Sequence, residues 1–187
     1  METFAHGLLS GAGHPLLGFD HLFFVALAGI AAVFTGRKLL APLAYIAAMA
    51  GGCLLTAVWT SVPAKELMIA ISLLVLGGML LSGRQFDSIT VLLAFAGFGI
   101  FHGAALGESL ATQEAGFGAK VLIGYLLGLG ITQYAIALAA GRMCTNLWGV
   151  SRASAIQPRL AGAMVAGAGL YLTLEHLEGS LMRAISS

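Results

Sequence analysis

The stretch His14–Phe34, "HPLLGFDHLFFVALAGIAAVF", decides how the chain is read. From Leu16 onward almost every side chain is apolar, and the run is long enough for a bilayer core, which takes roughly 20 helical residues. Its mouth nevertheless carries His14, Asp20 and His21. Lipid tolerates such groups poorly, so within an apolar span they mark a functional site by default.

The rest of the chain agrees. Hydrophobic residues make up 59% of the 187 and charged residues only 9%, against about 25% charged in an ordinary soluble domain. The 26 glycines fit membrane helices that pack backbone to backbone. A net charge of +1 gives no electrostatic footprint for nucleic acid. Cys53 and Cys144 match no zinc or redox spacing and read as free thiols. Residues 1–15, "METFAHGLLSGAGHP", carry no basic segment and no long apolar run, so as they stand they do not read as a signal peptide.

Six apolar segments emerge, at about 16–34, 39–60, 66–82, 88–107, 119–140 and 160–177. Loop-like punctuation separates them: "TGRK", "SVPAKE", "SGRQFD", "ATQEAGFG" and "GRMCTNLWGVSRASAIQPR". The expected fold is all-α, one polytopic domain over 1–187 with six transmembrane helices. Arg37, Lys38, Arg84, Arg142, Arg152 and Arg159 fall in loops on one face, against Lys65, Lys120 and Arg183 on the other. Positive loops stay cytoplasmic, which places both termini on the outer side.

On this topology all five histidines lie at the outer face: His6, His14, His21, His102 and His176. Asp20, Glu108, Glu114, Glu175 and Glu178 share that side. His6 reads as a solvated interfacial residue. In the opening stretch, Pro15 suits the first turn of a helix, which sets His14 near the N-cap. His14 and His21 are seven apart and point within about 20° of each other on one helix. Imidazole with carboxylate suits Ni²⁺, Co²⁺, Fe²⁺ or Zn²⁺. Asp20 is then a ligand, or it orients a ligating histidine through its other nitrogen.

The second constellation is Phe101–Ser109, "FHGAALGES". Gly99, Gly103 and Gly107 recur every fourth position and bare one helix face for close packing, with the first span as the natural partner. His102 and Glu108 are six apart and share no face of a regular helix, so they converge only if the last turn is distorted or Glu108 reaches back. Gln133 and Tyr134, deep in the fifth span, read as hydrogen-bonding groups between helices.

"HPLLGFDHLFFVALAG" and "FHGAALGES" together resemble the HupE/UreJ family, membrane proteins associated with hydrogenase and urease maturation. The resemblance runs over nearly the whole chain. It implies a multi-pass protein of the bacterial inner membrane, a nickel or cobalt permease, with metal-related roles for His14, Asp20, His21, His102 and Glu108. Many members carry a second histidine in the later motif, and Leu106 stands at that position here. Either Glu108, Glu114 or His176 substitutes for it, or this branch handles a different ion, or the site differs from the one the family name implies; Glu175 is a further candidate ligand.

Three functions follow from these residues. The first is uptake of Ni²⁺ or Co²⁺ through an outward-facing His/carboxylate site. The second is a membrane-embedded enzyme holding Zn²⁺ or another divalent metal, with an acid such as Glu108 as general base. The third is a small-solute channel with a structural metal. No hydrolase signature accompanies the second. The expected partners are a metal ion and the lipid bilayer, and the glycine faces permit a homo-oligomer.

Overall fold

A computed structural model of the chain describes residues 3–56, 62, 64–113 and 118–186. Seven α-helices form it: α1 (Phe4–Leu17), α2 (Phe19–Val33), α3 (Ala41–Leu55), α4 (Lys65–Leu81), α5 (Ser88–Gln113), α6 (Ala119–Arg142) and α7 (Ile156–Ser186). A π-helical turn, Met143–Leu147, closes α6. No strand occurs among the described residues.

Over Ser88–Leu110, Ala119–Leu147 and Ile156–Ser186 the helices are long and apolar enough to cross a membrane. α1 and α2 qualify only as a pair, bent by 82° at the break between them. α3 and α4, of 15 and 17 residues, are shorter. At 1.5 Å per residue they reach about 23 and 26 Å, somewhat less than a hydrocarbon core of about 30 Å.

The break corrects the expectation of one straight first span. Residues 4–17 are helical, so Pro15 sits in the last turn of α1 and not in the first turn of a new helix. Its ring carries no N–H for the i−4 bond, and the helix ends two residues later. Gly18 adopts an extended conformation and caps both helices: its N–H donates to the His14 carbonyl, and its carbonyl accepts from Leu22 N–H. Asp20 then falls in the first turn of α2, where a helix dipole favours negative charge.

Three helix pairs carry most of the packing: α1 with α6, α3 with α5, and α4 with α7. Each is a glycine seam. A Cβ on Gly7 or Gly11 would land on the backbone of Val121 or Tyr125; one on Gly103 would land on Met49; one on Gly77 would meet Ala166. The Gly99–Gly103–Gly107 face therefore packs on α3, against Tyr45, Met49, Cys53 and Thr56. This corrects the expectation that the face packs on the first span.

α2 runs up the middle and touches every other helix. Nine of its fifteen residues are buried, including an unbroken run from Leu27 to Ala32. The periphery is apolar in the opposite sense: Leu93, Ile100, Ile123, Leu127, Ile131, Leu160 and Met164 are exposed. In water such a surface would be an aggregation liability, and lipid is the solvent that suits it. The protein is a helical membrane protein.

Candidate metal centre

The break at Gly18 builds the site. In one straight helix, His14 and His21 would stand about 10.5 Å apart along the axis, too far to share an ion. Across the corner between α1 and α2 their rings meet edge-on, with centroids 5.7 Å apart. The His14 ring also leans on Tyr125 of α6, at 6.0 Å. The two histidines converge because the helix is broken, not because seven residues make two turns.

His21 in turn faces His102 of α5, ring centroids 4.8 Å apart and nearly perpendicular. Phe24, one turn below His21, lies 4.8 Å from the His102 ring and 4.8 Å from that of Tyr45. These aromatic rings, with Phe95 beyond, close the inner side of the histidine pair. Asp20, His21 and His102 offer ligand atoms that all lie within 4.8 Å of one another.

The hydrogen bonds around the two imidazoles decide their tautomers. His21 Nδ1 lies 3.2 Å from Asp20 Oδ2, so the ring donates to the carboxylate there. Its Nε2 is buried and has no hydrogen-bond partner among the described residues. On the other side, the Ser72 hydroxyl donates to the Ile69 carbonyl at 2.6 Å, which uses its only proton. Its oxygen must then accept from His102 Nε2–H, 2.9 Å away. His102 Nδ1 is left as a bare lone pair, also buried and also without a partner among the described residues. Two buried, unprotonated imidazole nitrogens thus belong to the same close group as the Asp20 carboxylate. Imidazole lone pairs with a carboxylate are a donor set suited to a divalent transition ion.

A cavity of about 400 Å³ opens beside Asp20, lined by Phe19, Glu66, Ile69, Ala70, Leu172, Glu175 and His176. Glu175 and His176 therefore reach the approach to the site from α7, although they stand outside the close group. Glu108 is elsewhere. Its carboxylate ion-pairs with Lys65 Nζ at 2.7 Å and accepts from Val62 N–H at 2.9 Å, tying α5 to the start of α4. The structure does not bring it to the histidines. Glu114 lies outside the described residues. His6 is exposed in α1. Leu106 is buried at 2% exposure, a residue of the apolar core.

Ser72 is not among the residues that the sequence motifs single out. Only the pairing of α4 against α5 shows that it holds His102. A serine inside an apolar run is a weak signal, because helical serines routinely bond their own backbone.

The family model described as HupE/UreJ protein matches residues 1–172. Protein HupE of Rhizobium leguminosarum bv. viciae is 29% identical over 176 residues, covering 90% of this chain and 85% of its own. No solved structure matches significantly. The chain is a member of the HupE/UreJ family.

Proposed function

We propose that the protein carries a divalent transition metal ion, nickel or cobalt, across the bacterial inner membrane. The observation that carries this reading is the pair of buried, unprotonated nitrogens, His21 Nε2 and His102 Nδ1, with Asp20 beside them. Imidazole nitrogen with one carboxylate suits a borderline transition ion and is a poor cage for Mg²⁺ or Ca²⁺. His14 is the next nearest imidazole and a further ligand as the ion is stripped of water. Membership in a family associated with nickel enzymes favours nickel or cobalt among the ions the donor set admits.

The arrangement supports capture from the outer side. The acid-lined cavity beside Asp20 concentrates cations at the mouth of the site. An inside-negative potential then favours inward movement by about 4.6 kcal/mol per doubly charged ion per 100 mV. A six-crossing topology with both termini outside also fits the helix directions. The seam contacts run in register for α3 with α5 and for α2 with α6, and in reverse for α4 with α7. Six successive crossings require those three senses.

The test is binding and uptake together. Purified protein should bind Ni²⁺ or Co²⁺ by calorimetry, and His21→Ala, His102→Ala and Asp20→Asn should each weaken binding by about 10- to 100-fold. Proteoliposomes with an inside-negative potential should take up the same ion. Tight binding without translocation would sink the transport reading and favour a membrane-embedded metalloenzyme.

A further inference from the structure

Beneath the histidine pair lies a second polar group that the outer site does not use. Gln133 of α6 is wholly buried, and neither its amide oxygen nor its amide nitrogen has a partner among the described residues. The Tyr45 hydroxyl of α3, which the Gln133 side chain adjoins, is in the same condition. Polar atoms left without a full partner in a membrane interior are expensive. The Tyr45 hydroxyl and the Gln133 amide lie close enough to interact between α3 and α6, but neither reaches full hydrogen-bond geometry.

Their depth follows from the seams. Gly29 of α2 packs on Ala137 of α6, and Val33 packs on Gly141, so the two helices run in the same sense. Four residues back, Gln133 stands at the level of Val25, one turn or about 6 Å inward from His21. Tyr45 is reached from the site through Phe24, which contacts both Tyr45 and His102. On the inner side, a cavity of about 160 Å³ extends up to Gly29 and Ala137, one turn below Gln133. Lys38, Arg142, Thr145 and Asn146 also line it. Gln133 and Tyr45 therefore occupy the closed stretch between an outer cavity lined by acids and an inner one lined by bases.

Building on the transport reading above, we propose that Tyr45 and Gln133 form a second binding station for the divalent cation, one turn inward from the histidines. It offers a phenol oxygen and an amide oxygen. These neutral oxygens hold a transition ion more weakly than imidazole, as onward movement requires. Lys38 and Arg142 make the inner cavity a poor resting place for a cation, so this station is the last hold before release.

Gln133→Leu and Tyr45→Phe test it with Ni²⁺ as the probe. Both variants keep side-chain volume. Because the atoms removed make no well-formed hydrogen bond, thermal unfolding in detergent should be unchanged or raised. Calorimetric Ni²⁺ affinity should stay within about threefold of native, while potential-driven uptake should fall by about tenfold or more. Native-rate uptake by both variants would overturn the station and leave the outer site standing. A lowered melting temperature would show a structural role and overturn it as well. Loss of Ni²⁺ affinity at unchanged melting would merge these residues with the histidine site, again against a separate station. If the unaltered protein neither binds nor transports Ni²⁺ or Co²⁺, the transport reading fails, and the station fails with it.

Discussion

The hydroxyl of Ser72 holds Nε2 of His102 at 2.9 Å, while its own proton is committed to the Ile69 carbonyl at 2.6 Å. One buried hydroxyl thereby fixes which imidazole nitrogen is bare. Ser72→Ala should fold but let the ring turn or change tautomer, lowering metal affinity by about 10- to 100-fold. Ser72→Thr keeps the same oxygen and the same backbone bond, and should restore most of that affinity. Calorimetry on both variants checks the claim; equal affinity in the alanine variant would remove Ser72 from the site.

Glu108 and Lys65 form the tie between α5 and the start of α4. Glu108→Gln should lower the melting temperature in detergent by a few degrees, as expected for the loss of about 1 kcal/mol in a chain of this size. It should leave calorimetric Ni²⁺ affinity within about twofold of native, since outer-shell ligand effects are far larger. A Ni²⁺ affinity that collapsed with the tie would restore Glu108 to the ligand set that family resemblance implies.

Two glycines of α5 make opposite predictions. A Cβ on Gly103 would collide with the Met49 backbone, whereas one on Gly97 meets nothing within 4 Å. Gly103→Ala should destabilise by about 1–3 kcal/mol or fail to assemble. Gly97→Ala should stabilise by up to about 1 kcal/mol through helix propensity alone. Thermal unfolding of the two variants side by side is sufficient.

Asp87 caps α5 by accepting from Ile89 N–H, Thr90 N–H and the Thr90 hydroxyl. The bonds to Thr90 hold its carboxyl below the usual carboxylate range. A depressed folded-state value means that the cap stabilises fully above the ordinary aspartate range. Its contribution is lost as the pH falls through that range and below. Melting temperatures followed from pH 7 down through about pH 4 should therefore drop less steeply for Asp87→Ala than for the native chain.

Much of the helical architecture is legible in the sequence. Apolar runs and loop punctuation located α2 to α7, because a bilayer dictates length and hydropathy more strictly than water does. The pairing of His21 with Asp20 is local and could be read from adjacent positions. α1 could not, since "METFAHGLLSGAGHP" is glycine-rich and short of the apolar length that signals a span. It is helical because Gly7 and Gly11 let it lie against the backbone of α6, a tertiary gain invisible in local propensity. The partner of the Gly99–Gly107 face was misplaced for the same reason: a bare face announces close packing but not against what. Glu108 went astray because its partner, Lys65, lies far off in sequence at the head of another helix.

The three glycine seams also set the tolerance to which the metal centre is built. Where two helices meet through side chains, small substitutions are absorbed by rotamers. Where they meet peptide on peptide, spacing is a property of the backbone and has no slack. Ser72 is held relative to His102 by helices that are themselves gauged in this way, α4 by Gly77 on Ala166 and α5 by Gly103 on Met49. A single methyl added far from any ligand would thus move a nitrogen, and the lipid-facing rows of leucine and isoleucine are where this sequence is free to drift.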